Sequence, residues 1–142
     1  MPYKKTVLIV DDSQDDALLL QRTLREAGIL NPVELIHDGA EAIAYLQGRG
    51  IYADTRKYPP PYFLFLDLKM PEVDGFEVLH WLRTLPDPRS ILVVVLSGAQ
   101  TLPDVQRAYK MGAHSFLTKP FGHADIANLL KAFPKHWAAA PR

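Results

Sequence analysis

The segment YFLFLDLKMPEVDG, residues 62–75, begins with an apolar run that stops at an aspartate, Asp67. Apolar side chains at every position of such a run are typical of a strand that is buried on both faces of a sheet. Strands of this kind occur in parallel sheets that are covered by helices on both sides. The segment therefore predicts a central strand over 62–66, with Asp67 directly after its carboxyl end.

Similar short apolar runs alternate along the chain with longer stretches whose apolar residues recur at helical spacing. The predicted strands span 6–10, 33–36, 62–66, 91–96 and 115–118, and the predicted helices span 15–27, 40–46, 75–84, 102–111 and 124–133. This alternation predicts an α/β fold with a doubly wound parallel sheet. The stretch GRGIYADTRKYPPP, residues 48–61, is predicted to be a surface loop, because proline cannot continue a central ladder.

Composition narrows the classes of function. With 142 residues, of which 48% are hydrophobic, the chain suits one domain with a core over about 5–133, a tail over 134–142 and no output domain. Its 16 basic and 16 acidic residues cancel, so it lacks the broad positive charge of most nucleic-acid binders. No stretch approaches the roughly 20 apolar residues of a membrane span. The absence of cysteine excludes disulfides and suits a cytoplasmic protein.

Polar and charged side chains follow the predicted strands. Asp11 and Asp12 come directly after the first strand, Asp67 after the third, Ser97 after the fourth and Lys119 after the fifth. In an open parallel sheet the ligand site lies beyond the carboxyl ends of the strands. We therefore expect these residues to converge at one edge of the sheet, although they are far apart in sequence.

The chemistry of this set indicates phosphoryl transfer. Crowded carboxylates raise one another's pKa, and a divalent cation removes that cost; oxygen ligands without Cys or His favour Mg²⁺. Beside a cation, an aspartate can attack phosphorus, while a lysine and a hydroxyl neutralise the phosphoryl oxygens. Each residue also has an ordinary interpretation: Asp11 and Asp12 as turn residues, Asp67 as a loop carboxylate, Ser97 as a helix cap and Lys119 as a surface lysine.

Taken together, the motifs resemble the receiver domain of response regulators over about residues 5–133. The resemblance implies a flavodoxin-like fold with a five-stranded parallel sheet in the order 2-1-3-4-5 and five helices. Asp11 and Asp12 match the acidic residues that bind the metal in this family, and Asp67, within FLDLKMPEVDG, matches the phosphoacceptor. Ser97-Gly98 matches the family's hydroxyl residue and its small neighbour. Lys119-Pro120-Phe121 matches the family's lysine motif.

The resemblance also implies further roles. The backbone carbonyl of Lys69 would serve as a ligand of the Mg²⁺ ion, and its side-chain charge, where many members have a neutral residue, would lie at the mouth of the site. Ser97 and Phe116 match the switch residues, although Phe116 is equally well interpreted as a core residue. The family's Lys-Pro bond is cis, a feature that the sequence leaves open for Lys119 and Pro120.

The function implied is that of a stand-alone response regulator, which accepts a phosphoryl group on Asp67 from a partner histidine kinase. The long loop over 48–61 and the Phe133-Pro134-x-x-Trp137 ending resemble the stand-alone regulators that accompany bacterial phytochromes. Output would be contact with another protein, or homodimerisation through the C-terminal helix and Trp137. We expect no nucleic-acid partner and no membrane partner.

Other classes of protein use some of the same residues. A haloacid-dehalogenase-like phosphatase also uses Asp, Ser, Lys and Mg²⁺, but it has a second acid where this chain has Lys69. A flavodoxin-like flavin carrier needs a phosphate-binding loop after the first strand, where Asp11 and Asp12 would repel phosphate. A degenerate receiver that binds partners without phosphate is the third alternative.

Overall fold

The apolar runs form the strands of one sheet in the computed structural model, which describes residues 5–85, 91–98 and 102–133. The strands are β1 (Val7–Val10), β2 (Val33–Ile36), β3 (Phe63–Asp67), β4 (Leu92–Ser97) and β5 (Ser115–Thr118). All neighbouring strands are parallel, in the order β2-β1-β3-β4-β5. Both the predicted α/β class and the strand order implied by the family resemblance are confirmed.

Helices follow the strands, each within two residues of its predicted bounds at either end. They are α1 (Gln14–Glu26), α2 (Gly39–Gln47), α3 (Gly75–Leu82), α4 (Leu102–Lys110) and α5 (His123–Ala132). The side chains of Ser13, Asp38 and Asp74 accept hydrogen bonds from first-turn N–H groups and so fix where α1, α2 and α3 begin. Within the described residues, no helix has both the length and the apolar character needed to cross a membrane.

The alternating side chains of β3 fill two separate cores. Phe63 and Phe65 pack with residues of α1 and α5, whereas Leu64 and Leu66 pack with residues of α2, α3 and α4. Successive side chains of a strand point to opposite faces, so the uniformly apolar run supplies both cores. All four side chains are fully buried, which confirms that β3 is a central strand covered on both faces.

The stretch over 48–61 is more ordered and more buried than the surface loop that its sequence predicts. It contains a short 3₁₀ helix, Gly50–Ala53, and Tyr52 is only 8% exposed. The rings of Tyr52 and Tyr58 pack against each other and against Tyr45 of α2, with centroids 4.9 to 6.0 Å apart. Aromatic burial therefore holds this segment against α2, an effect that glycine and proline content does not indicate.

Candidate functional site

The strand register brings the predicted site residues to one edge of the sheet. Asp11 follows the last residue of β1, which pairs with the residue before Asp67 in β3. Ser97 ends β4 and pairs with the last residue of β5, which Lys119 follows. The predicted convergence is therefore present. Asp67 and Ser97 are the last residues of β3 and β4, so each strand ends one residue later than predicted. Both residues continue the parallel pairing with the neighbouring strand.

Three carboxylates form the centre of the site. Asp11, Asp12 and Asp67 each offer one oxygen, and these atoms all lie within 4.8 Å of one another. Asp11 and Asp67 are buried, while Asp12 is exposed to solvent. The N–H of Ser13 donates to Oδ1 of Asp11 at 3.0 Å, and the N–H of Lys69 donates to Oδ1 of Asp67 at 3.3 Å. Backbone N–H groups thus fix the orientation of two of the three carboxylates, and a compact cluster of carboxylate oxygens suits a hard divalent cation.

The protonation of Asp67 depends strongly on its surroundings. Burial raises the pKa of Asp67 to about 7, against the opposing attraction of the Lys119 ammonium group, and the nearby charge of Asp11 raises the pKa further. A hydrogen bond from the Lys69 N–H favours the ionised form but does not offset burial. In the absence of a cation, therefore, a substantial fraction of Asp67 is protonated near neutral pH.

Lys119 is the cation that the chain itself supplies. Its Nζ lies 2.7 Å from Oδ2 of Asp11, 3.1 Å from Oδ2 of Asp16 and 3.6 Å from Oδ2 of Asp67. Burial lowers the pKa of Lys119, but the hydrogen bond to Asp11 and the charges of the other carboxylates outweigh it, so the pKa is raised overall. Lys119 is therefore a cationic group with a raised pKa, and its Nζ lies close to the Asp67 carboxylate.

Asp16 is a site residue that the sequence reasoning missed. It lies in the first turn of α1, and four residues later Leu20 is buried in the core. Residues four apart share a face of a helix, so Asp16 continues the buried side of α1 toward the carboxyl edge of the sheet. A carboxylate on an otherwise apolar helical face was the available signal.

Ser97 presents a buried hydroxyl group to the same edge. Its Oγ is buried and has no hydrogen-bond partner among the described residues, while its carbonyl accepts a bond from the Lys119 N–H at 2.9 Å. A buried hydroxyl without a partner costs about 1 to 3 kcal/mol of desolvation. That cost disappears when a ligand with acceptor oxygens lies beside the hydroxyl.

The Asp74-Gly75 dipeptide of the motif has a steric role. A Cβ atom at Gly75 would lie 2.5 Å from the carbonyl oxygen of Asp67 and 2.7 Å from Cα of Leu68. The Gly75 N–H donates to the Leu68 carbonyl at 3.1 Å. Only glycine allows α3 to begin this close to Asp67, so the motif fixes the backbone beneath the acidic cluster.

Two other predicted residues occupy the surroundings of the site. The Lys69 side chain is 60% exposed, and its Nζ lies 3.3 Å from Oδ2 of Asp104 in α4, so its charge at the mouth of the site is engaged by that helix. Phe116 is partly buried, and its ring packs edge to face against Tyr109 of α4 with centroids 6.3 Å apart. The bond between Lys119 and Pro120 is cis, as in the family.

A family model describes this combination of fold and site. The model of the response regulator receiver domain matches residues 7–131, and the chain therefore belongs to the receiver family, whose members are signalling modules of two-component systems. The phosphatase alternative receives no support, because the residue two positions after Asp67 is Lys69, which pairs with Asp104.

Several response regulators are similar to this chain in sequence and structure, and two of them are named as phytochrome or bacteriophytochrome regulators. Response regulator Rcp1 of Synechocystis sp. is 33% identical over 133 residues, 94% of this chain and 88% of Rcp1; the structure of its Mn²⁺-bound form has a TM-score of 0.77 at 32% identity, covering 97% of this chain and 99% of that one. The bacteriophytochrome response regulator AtBRR has a TM-score of 0.82 at 31% identity, covering 99% and 100%. The phosphorylated cyanobacterial phytochrome response regulator RcpA has a TM-score of 0.78 at 30% identity, covering 99% and 100%.

Proposed function

We propose that this receiver accepts a phosphoryl group on Asp67 from a partner histidine kinase and thereby switches its contacts with other proteins. The observation that carries the proposal is the position of the buried Asp67 carboxylate, between two further carboxylates and a lysine ammonium group 3.6 Å away. The buried Ser97 hydroxyl, which has no partner among the described residues, supports the same function.

The proposed reaction exchanges one bond to phosphorus for another. A carboxylate oxygen of Asp67 forms the new P–O bond, the P–N bond of the donor phosphohistidine breaks, and the electron pair returns to the imidazole nitrogen, which takes up a proton. Lys119 attracts a phosphoryl oxygen by charge and Ser97 donates a hydrogen bond to another. Slow hydrolysis of the acyl phosphate by water returns Asp67 to its original state.

Mg²⁺ is the proposed metal. Asp11, Asp12, Asp67 and the backbone carbonyl of Lys69 would hold it, since all the side-chain donors are oxygens and their cluster is compact. The bound cation supplies positive charge that favours ionised Asp67 and offsets the charge of the phosphoryl oxygens. A relative, Rcp1, has a Mn²⁺-bound form, which supports a hard divalent cation in this family.

The experiment that tests the proposal is transfer from a labelled histidine kinase, or from acetyl phosphate, in the presence of Mg²⁺. We expect the mass gain of one phosphoryl group, its loss on treatment with hydroxylamine, which cleaves acyl phosphates, and no labelling in EDTA. Relatives named as phytochrome response regulators make a bacterial phytochrome kinase the first donor to test. Absence of labelling from every donor would instead favour a degenerate receiver. We also propose that the protein acts in the cytoplasm.

Replacing Asp12 by alanine should weaken Mg²⁺ binding while leaving the metal-free protein as stable or more stable. Asp12 is the exposed member of the cluster, so its loss removes a ligand and a repulsive charge without opening a cavity. We expect at least the tenfold or so loss of affinity that accompanies removal of an outer-shell partner. The measurement is the Mg²⁺ dependence of thermal unfolding. Asp15→Ala, in the first turn of α1, is the control, and equal Mg²⁺ affinity for both variants would exclude Asp12 as a ligand.

We further propose that the protein forms a homodimer through α5 and its C-terminal tail. Ile126 and Leu129 are buried beneath the sheet, and Leu130 and Phe133 pack against the same core, so the apolar stripe of α5 is used within the domain. A dimer contact would then rest on the tail, where Trp137 and the rest of 134–142 lie outside the described residues. Buried aromatic residues often supply most of the binding energy of an interface.

Removing the tail should convert a dimer into a monomer. Sedimentation at tens of micromolar is expected to give a dimer for the full chain and a monomer for a chain that ends at Phe133. Trp137→Ala should weaken the dimer, whereas Trp81→Ala, which removes a 41% exposed tryptophan from α3, should not. Equal masses for the full and shortened chains would rule the tail out as the interface.

A further inference from the structure

The ammonium group of Lys119 has three carboxylate neighbours, and one of them stands apart. An ammonium group carries three N–H donors, and Asp11, Asp16 and Asp67 all lie within 3.6 Å of Nζ. Asp11 and Asp67 belong to the acidic cluster that could hold a cation, whereas Asp16 does not. Asp16 comes from α1 and reaches Lys119 across 103 residues of sequence. The lysine is thus shared between the cluster and a helix.

The two kinds of neighbour respond differently to the events at the site. A cation in the cluster attracts the oxygens of Asp11 and Asp67, and it repels the Lys119 ammonium group because both are positive. Phosphorylation of Asp67 would then make one of its oxygens the bridging oxygen of an acyl phosphate, which no longer carries the carboxylate charge. Asp16 is the one carboxylate of the three that keeps its full charge available to Lys119 throughout.

Lys119 also has room to move away. A cavity of about 270 Å³ lies beside it, lined by Asp16, Leu19, Lys119, Pro120 and Phe121. The Lys119 side chain is 17% exposed and that of Asp16 is 46% exposed, so Asp16 is the more exposed partner of this ion pair. Without Asp16, an ammonium group repelled by a cation could turn into this open space.

We propose that Asp16 is a positioning residue, which holds the Lys119 ammonium group beside Asp67 while a cation occupies the acidic cluster. This inference rests on the proposed function of Asp67 and adds to it a residue of α1. Asp16 would act through Lys119 and would touch neither the cation nor the phosphoryl group. Its effect should therefore depend on the presence of Lys119.

The test is a double-mutant cycle on the rate of phosphorylation by acetyl phosphate at saturating Mg²⁺. We expect Asp16→Asn to slow phosphorylation about three- to fivefold, the range for a partly exposed ion pair. Asp16→Glu should recover most of the rate. In a Lys119→Ala background, Asp16→Asn should have no further effect. The matched control is Asp15→Asn, which removes the same charge from the same turn of α1 and should leave the rate unchanged.

Two results would overturn the positioning role. The first is a phosphorylation rate for Asp16→Asn that equals the rate for Asp15→Asn. The second is an Asp16→Asn substitution that slows phosphorylation by the same factor in the wild-type and Lys119→Ala backgrounds. A second cycle, on urea unfolding at saturating Mg²⁺, requires no phosphoryl transfer and so separates this inference from the proposed function. The coupling free energy between Asp16 and Lys119 in this unfolding cycle should persist at saturating Mg²⁺. Loss of this coupling on adding Mg²⁺ would refute the inference, even if the wild-type protein is phosphorylated.

Discussion

Substitution of Asp67 by asparagine should abolish phosphoryl labelling, with a rate at least about a thousandfold below that of the wild-type protein. The asparagine side chain has the same shape, so it should fill the buried position and keep the contact with the Lys69 N–H. Its carboxamide oxygen carries no full negative charge, however, and the amide cannot form a stable acyl phosphate. The measurement is the intact mass after incubation with acetyl phosphate or a labelled kinase in Mg²⁺.

Asp15→Asn is the matched control for this prediction, since it makes the same chemical change on the exposed first turn of α1, outside the acidic cluster. It should be labelled at the wild-type rate. Circular dichroism of the Asp67→Asn variant must give a folded protein, so that loss of label reports chemistry. Labelling of the asparagine variant at the wild-type rate would show that another residue is the acceptor.

The convergence of the site was predictable because it depends on topology alone. Once the apolar run over 62–66 indicates a parallel sheet, the carboxyl ends of its strands must meet at one edge, and Asp67, Ser97 and Lys119 follow from their places in sequence. Strand register then supplies the side-by-side order that the structure contains. No helix position was needed for this part of the prediction.

Contacts that depend on how helices pack were not predictable in the same way. The ion pairs Lys119–Asp16 and Lys69–Asp104 each join a residue after a strand to a residue in a helix. To predict such a pair, one must know how the helix is rotated about its axis and how far it lies from the sheet. Sequence spacing fixes which residues share a helical face but not which residue lies opposite. The burial of Tyr52 was missed for a similar reason, because the path of the 48–61 chain decides which aromatic rings meet.

In the absence of divalent cations, we expect the contribution of Asp67 to the stability of the folded protein to fall as the pH rises from roughly 4 to roughly 8. The pKa of Asp67 rises from its ordinary 3.8 to about 7 in the folded protein, chiefly through burial. Between these two values the folded state retains a proton that the unfolded state releases, so each increase in pH favours unfolding. The stabilising effect of this proton is complete below the unfolded pKa and is lost as the pH passes the folded pKa.

The size of this effect can be isolated with the Asp67→Asn variant, which carries no titrating group at the position. A shift of this extent corresponds to about 4 kcal/mol at most, since one pKa unit is worth about 1.36 kcal/mol. The variant should therefore be more stable than the wild type by about 2 to 4 kcal/mol near pH 8, and the difference should vanish near pH 4. The pKa of Lys119 is raised above its ordinary 10.5, so Lys119 stays charged between roughly pH 4 and roughly pH 8 and does not make the free energy of unfolding depend on pH in this range.

Urea unfolding in EDTA, at several pH values between roughly 4 and 8, measures the difference directly. Asp15→Asn should track the wild-type protein across the whole range, because its carboxylate is exposed and lies outside the cluster. Repeating the series in Mg²⁺ should remove the wild-type decline, since a cation favours the ionised form of Asp67, and saturation at a hundredfold excess over Kd adds about 2.7 kcal/mol. A variant no more stable than the wild type at pH 8 in EDTA would mean that Asp67 ionises in the folded protein without cost, and the cation would then have no buried charge to relieve.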